Sequence, residues 1–257
     1  MIYVYPIGGI GNMFFHIAST WTFAKDIGDD FCLLNIDLKI NDLKKDKRGD
    51  LKHADKWRYF LDRFEIKENG YVGVVEHSFT YSPIPYKKDH KYVGYFQSEK
   101  YFKHRRDEIL ELFRSDDSFI DEINKYKNLF GNISLHVRRN DYVKLYPNIH
   151  PPQTIEYYQK ALELLPSDLK IVVFSDEIEW CKENLIGDRY VFIEEIDYVS
   201  IYVMSMMKHH IIANSSFSWW GAWMSTYEDK IVIAPEKWFG NSAYNYSDIV
   251  PENWIKI

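Results

Sequence analysis

The chain has 257 residues, 46% hydrophobic and 27% charged, proportions that exclude a disordered chain and a membrane-embedded bundle and fit a globular α/β or α+β protein. Its length admits one large domain or two of about 130 residues, each able to bury a core. The formal net charge of −6 excludes an ordinary nucleic-acid binder, which carries a basic surplus, so any anionic ligand must be held by local cations.

In chain order, the apolar run IYVY reads as a strand and is followed by Gly8-Gly9-Ile10-Gly11-Asn12 and then by MFFHIASTWTFAKDI at helical spacing. The glycine turn matches GxGxxG only in part, because Phe14 stands where the third glycine belongs. Its glycines still permit close approach of a ligand, and Asn12 is placed to cap the helix and reach into a cleft. FCLLNI (31–36) reads as a second strand, and a segment dense in both charges follows from Asp37 to about Lys67. YVGVVE and YVGYF read as further strands, and Ser98 as the N-cap ahead of RRDEILELF.

From about residue 131 the rhythm becomes regular. The apolar runs ISLHV, KIVVFS, YVFI, HIIAN and KIVIA alternate with helical patterns at 153–165, 177–184, 198–208 and 216–225, which predicts a parallel doubly wound sheet. The change of rhythm divides the chain into domains 1–125 and 126–257. Cys32 and Cys181, the two cysteines, read as reduced packing residues. No apolar run approaches the roughly 20 residues of a membrane span and no secretory n-region opens the chain, so a cytoplasmic protein is expected.

Ligands of doubly wound sheets sit beyond the carboxyl ends of the strands, and three of those ends carry polar residues that the apolar pattern does not explain. After the first comes SLHVRRNDYV (134–143), in which His136 and Arg138 alternate with apolar neighbours and so point to one side. The guanidinium of Arg138 suits a diphosphate, Arg139 points the other way toward an acidic neighbour, and Asp141 either holds an arginine or receives a proton. After the second, Asp176 either accepts from a base or ribose hydroxyl or caps a helix. After the fourth, Asn214, Ser215 and Ser216 form a cap cluster where free amides and the helix dipole favour phosphate oxygens, or merely cap the helix. Trp219, Trp220 and Trp223 follow helical spacing and read as core.

GGIGNMFFHIA, GYFQSEKYF, LHVRRNDYV, VFSDEIEWC and MSMMKHHIIANSSFSWWGAW resemble, in order and over nearly the whole chain, the bacterial α-1,2-fucosyltransferases of glycosyltransferase family 11. The resemblance implies a GT-B fold, with two Rossmann-like domains facing a cleft, the N-terminal one on the acceptor side and the C-terminal one binding GDP-fucose. It also implies inversion at the anomeric carbon and no required metal. On the matching positions, Arg138 contacts the donor diphosphate, His136 lies near the guanine, Asp176 meets the base or ribose, Ser215 and Ser216 lie near the phosphates, and Asn12 faces the donor from the acceptor domain. Met13 departs from the family, which often has Gln there.

The implied partners are GDP-fucose and a galactose-terminated acceptor, with peripheral contact to a lipid-linked glycan at the inner membrane face and no nucleic acid. Negative charge grows on the leaving diphosphate, so Arg138 and the amides near Ser215 act in the transition state. Asp141 is the candidate base, with Glu76 and His77 as alternatives on the acceptor side. Two other readings remain open, a different sugar-nucleotide donor and a non-catalytic sugar-nucleotide or glycan-binding module.

Overall fold

A computed structural model describes residues 1–6, 8–34, 63–67, 72–76 and 78–257. His77 and all but the last few residues of the charge-dense segment lie outside the described residues. The chain divides into two compact units, Met1–Asp116 and Asp117–Ile257. This division precedes the expected 125/126 boundary because the segment between them packs with the second unit: the Phe119 ring lies 4.7 Å from that of Tyr198.

In the first unit, strands β1 (Ile2–Val4), β2 (Phe31–Leu34), β3 (Ile66–Lys67), β4 (Gly73–Val75) and β5 (His90–Val93) lie in the order β3-β2-β1-β5-β4. Every pairing is parallel, with Ile2 opposite Phe31 on one side and His90 on the other. Helix α1 (Ile10–Ile27) follows β1 and buries Met13, Phe14, Phe15, Ile17 and Ala18. Phe14 stacks on Phe113, with 4.2 Å between ring centroids, just past helix α2 (Arg106–Leu112). Two predicted caps are corrected. Gly9 is the N-cap of α1 and Asn12 lies inside its first turn, because the extended backbone at Gly9 already starts the helix. Ser98 caps a single 3₁₀ turn, Glu99–Tyr101, accepting from the Lys100 amide, while α2 starts later.

The second unit carries β6 (Ile133–Val137), β7 (Ile171–Ser175), β8 (Tyr190–Ile193), β9 (His209–Ile211), β10 (Val232–Ala234) and β11 (Ile255–Lys256), in the order β11-β10-β9-β6-β7-β8. All pairings are parallel. This is the strand order of a dinucleotide-binding sheet, reversing direction between β6 and β9. Its helices are α3 (Ile120–Asn124), α4 (Asn140–Lys144), α5 (Ile155–Glu163), α6 (Ile178–Asn184), α7 (Asp197–Ser205) and α8 (Ser216–Met224). Every residue of β6 is buried, as a strand covered on both faces requires. Ile133, Leu135 and Val137 pack with Ile171, Val173, Ile211, Tyr158 and Ala161. Trp219, Trp220 and Trp223 are core, as their spacing predicts, and Trp219 Nε1 donates to the Ile249 carbonyl at 2.7 Å. Both cysteines are buried and free.

Candidate active site

β6 and β9 pair side by side where the strand order of the second unit reverses, and ligands of such sheets bind beyond the carboxyl ends of those strands. His136, near the end of β6, is 4% exposed, and its ring lies 5.3 Å from that of Phe217 on α8. Burial, reinforced by the charge of Arg138, pushes its pKa down to about 3, so the imidazole is neutral. Its Nδ1 is buried and has no hydrogen-bond partner, leaving a ring nitrogen for a ligand.

Arg138 stands one residue past the strand, about a third exposed, between two carboxylates: Asp141 Oδ1 lies 2.8 Å from Nη2 and Asp176 Oδ2 lies 3.3 Å from Nη1. Asp176 also accepts the backbone N–H of Arg139 at 3.0 Å, so it ties the arginine loop to the end of β7. It does not cap α6; the Ser175 hydroxyl accepts from the Glu177 amide instead. Burial raises the pKa of Asp176, and Arg138 opposes that shift. Arg139 turns away, as its alternation predicts, to pair with Glu177 at 3.2 Å and lie 3.8 Å over the Trp180 ring. The pair of arginines is thus divided: one fork is locked into the scaffold, while the other keeps N–H groups for an anion.

Ser215 is the N-cap of α8, with φ −134° and ψ 129°, but its side chain makes no capping bond. The first-turn amides of α8 are thereby left to an incoming oxyanion. At the other end of this helix, Lys230 Nζ donates to the carbonyls of Ala222, Trp223 and Ser225, where a cation favours the helix dipole. Asn214 is 1% exposed and its amide is committed, donating to the Pro151 and Trp238 carbonyls and accepting from Gln153. It therefore ties the end of β9 to the loops at Pro151 and Trp238, and Ser215 and Ser216 follow it at the start of α8.

In the first unit, Asn12 lies at the corresponding reversal point, between β1 and β5, where its Oδ1 accepts from Gln97 Nε2 at 2.9 Å. Glu76 is half-buried: Oε2 accepts the Phe96 N–H at 2.6 Å and Oε1 accepts the Tyr101 hydroxyl at 3.1 Å. Burial raises the pKa of this carboxyl.

With the nucleotide-type sheet and its strand-end cations in place, sequence comparison decides the family. The description of glycosyl transferase family 11 matches residues 4–257. The chain belongs to that family. The O-antigen biosynthesis glycosyltransferase WbnK of Escherichia coli is 26% identical, with 97% of this chain and 98% of that protein covered. The Escherichia coli Alpha-1,2-colitosyltransferase is 38% identical over 180 residues, 65% of this chain and 62% of that protein. Galactoside alpha-(1,2)-fucosyltransferase 2 of Rattus norvegicus is 29% identical over 154 residues, 52% of this chain and 44% of that protein. These last two alignments span less than two thirds of either relative. Among solved structures, the fucosyltransferase NodZ from Bradyrhizobium superposes with a TM-score of 0.48 at 12% identity, over 86% of this chain and 92% of that one.

In this family 11 glycosyltransferase, one residue beside Arg138 carries no role in the motifs read from the sequence. Tyr142, on α4, sends its hydroxyl to the Asn214 carbonyl at 3.0 Å, lies 5.5 Å from the Arg138 guanidinium and stacks on His150 at 4.7 Å. It joins the loop after β6 to the loop after β9. Its place directly after Asp141 in the arginine motif was the available signal. Among the described residues, no group of three or more His, Cys, Asp and Glu side chains is arranged to hold a metal ion, and no helix is long and apolar enough to cross a membrane.

Proposed function

We propose that this chain transfers fucose from GDP-fucose to the 2-hydroxyl of a terminal galactose, with inversion and without a required metal. The observation that carries the reading is Arg138, braced between Asp141 and Asp176 and next but one to the neutral His136 at the strand-end rim where α8 also begins without a side-chain cap. His136 offers its Nδ1 to the guanine, Asp176 stands at the ribose side, and Ser215 and Ser216 meet the phosphates. As the bond from the anomeric carbon to the diphosphate breaks, charge grows on oxygens that the Arg138 fork and the α8 amides are placed to receive. Because that charge exists only in the transition state, these contacts raise the rate rather than merely the affinity. Asp141 holds Arg138 in this geometry and is the carboxylate we assign to take the acceptor proton.

The names of the relatives support the 1,2-linkage and a deoxyhexose donor. WbnK favours an oligosaccharide of O-antigen type as acceptor, met by a cytoplasmic enzyme at the inner membrane face. The 38% identity to the colitosyltransferase supports a second reading, in which the donor sugar is colitose.

The test is release of GDP from GDP-fucose in EDTA, with and without lactose or N-acetyllactosamine, alongside a colitose donor. Acceptor-dependent release of GDP from GDP-fucose is expected. Release only from the colitose donor would select the second reading, and the absence of both turnover and GDP binding would overturn both.

A further inference from the structure

We propose that Gln97 and Asn12 form an amide pair that reads a sugar hydroxyl at the strand-end crevice of the first unit. Resting on the fucosyl-transfer reading, this assigns a binding role to Gln97, which had none. The two residues follow neighbouring strands, Asn12 in the first turn of α1 after β1 and Gln97 in the turn after β5, where the strand order reverses. Reversal points are where parallel sheets bind ligands.

Gln97 is 7% exposed, and its Nε2 donates to Asn12 Oδ1 while its Oε1 is buried with no hydrogen-bond partner. A buried acceptor left unpaired is costly, so a ligand donor at this point resolves the deficit. The pair presents one acceptor, Gln97 Oε1, and one donor group, Asn12 Nδ2. Exchanging O and N in both amides leaves one of each, so the result does not depend on amide orientation. One donor beside one acceptor complements a hydroxyl, which gives and takes one hydrogen bond at once. It does not suit a phosphate, which only accepts.

The surrounding backbone leaves the Asn12 donor uncovered and aims Gln97. Gly8 has φ +81°, and a Cβ there would lie 2.8 Å from Asn12 Nδ2, so glycine leaves that donor uncovered. On the other side Phe96 has φ +48°, a conformation that a bulky residue adopts only when held. Glu76 holds its N–H and Ser19 Oγ donates to its carbonyl at 3.3 Å. A Cβ at Gly94 would fall 2.4 Å from the Glu76 side chain, so the turn closes around that carboxylate. The strained turn aims Gln97, and Glu76 is its positioning residue.

The hydroxyl belongs to the acceptor galactoside or to the fucose of the donor, and kinetics on Gln97→Met separate the sources. An acceptor hydroxyl predicts an acceptor KM raised about ten- to hundredfold, with donor KM and GDP Kd unchanged. A fucose hydroxyl predicts the same rise in the GDP-fucose KM, again with GDP Kd unchanged. Either outcome supports the pair; both KM values near wild type, or a GDP Kd weakened as much as KM, would overturn it. Should Gln97→Met fail to fold, Asn12→Asp removes the outer donor while keeping the oxygen that Gln97 Nε2 needs, and the same split is expected. If the wild type turns over no galactoside, the fucosyl-transfer reading fails by itself. Saturation-transfer NMR of methyl β-galactoside and of L-fucose, on wild type and on Gln97→Met, then tests the pair directly. A sugar signal seen with wild type and abolished by the substitution supports it, and equal signals, or none with either protein, overturn it.

Discussion

Replacing Glu76 distinguishes a general base from a brace. Both carboxylate oxygens are engaged, one by the N–H of the left-handed Phe96 and one by the Tyr101 hydroxyl. Glutamine keeps an oxygen for the strained N–H but cannot accept a proton, whereas alanine removes both contacts. Each hydrogen bond to the carboxylate is worth about 1.5–3 kcal/mol, and release of the left-handed conformation returns about 1–2 kcal/mol. Glu76→Ala should therefore lose about 2–4 kcal/mol of stability in urea titration, on the same basis, and Glu76→Gln much less. The pH dependence has a definite sign. Burial raises the Glu76 pKa above its ordinary 4.5, so the stability linked to its protonation is full below that value and is lost as pH rises through the raised pKa. Glu76→Gln should accordingly gain on wild type from pH 4 toward 7. In the GDP-release assay kcat of Glu76→Gln should stay within about threefold of wild type, whereas removing a general base costs about 10²–10⁴. A loss of that size in a stably folded Glu76→Gln would refute the brace.

Arg138→Lys keeps the charge but not the fork that spans Asp141, Asp176 and a diphosphate, so kcat/KM should fall at least about a hundredfold; near-normal kcat would remove Arg138 from the transition state. Lys230→Met leaves three carbonyls at the end of α8 without their cation and should cost about 1–3 kcal/mol, read as a lower urea midpoint at unchanged m. His16 and His136, at about 3, and His210, well below its ordinary value, are held neutral by burial. Their contribution is full above about 6.5 and is lost as pH falls, by about 1.4 kcal/mol per pH unit for each histidine. The unfolding free energy of His136→Phe should therefore fall less steeply than that of wild type between pH 6.5 and 5, and parallel curves would contradict a neutral His136.

The parallel strands and long helices were legible because burial on both faces writes continuous apolar runs, as in ISLHV and KIVVFS. The strand-end polar residues stood out for the complementary reason: nothing in an apolar pattern accounts for His136, Arg138 or Asp176. The split between Arg138 and Arg139 followed from strand alternation, and Glu177 and Trp180 occupy Arg139 as that alternation requires. What stayed hidden was pairing. No spacing rule brings Gln97 to Asn12 or Glu76 to Phe96, since each contact joins separate strand ends. The commitment of the Asn214 amide to Pro151 and Trp238 was equally invisible, because a cap and a loop tie look alike in sequence. α4 spans only Asn140–Lys144, too short for helical periodicity to register, and it hid Tyr142 with it. β11 contributes two residues, below what alternation can signal.

The hydrogen bond from Tyr142 to the Asn214 carbonyl joins positions 72 residues apart in the chain. Between them lie α5, β7, α6, β8, α7 and β9, so this contact closes a long loop of the chain. Contacts of such sequence separation form late, because loop closure must precede their reward. A partly folded chain can hold Arg138 on a finished β6 and still lack the helix end that completes the proposed phosphate grip. Nucleotide affinity during refolding should therefore appear with the last kinetic phase, making a bound donor a reporter of completed folding rather than of collapse.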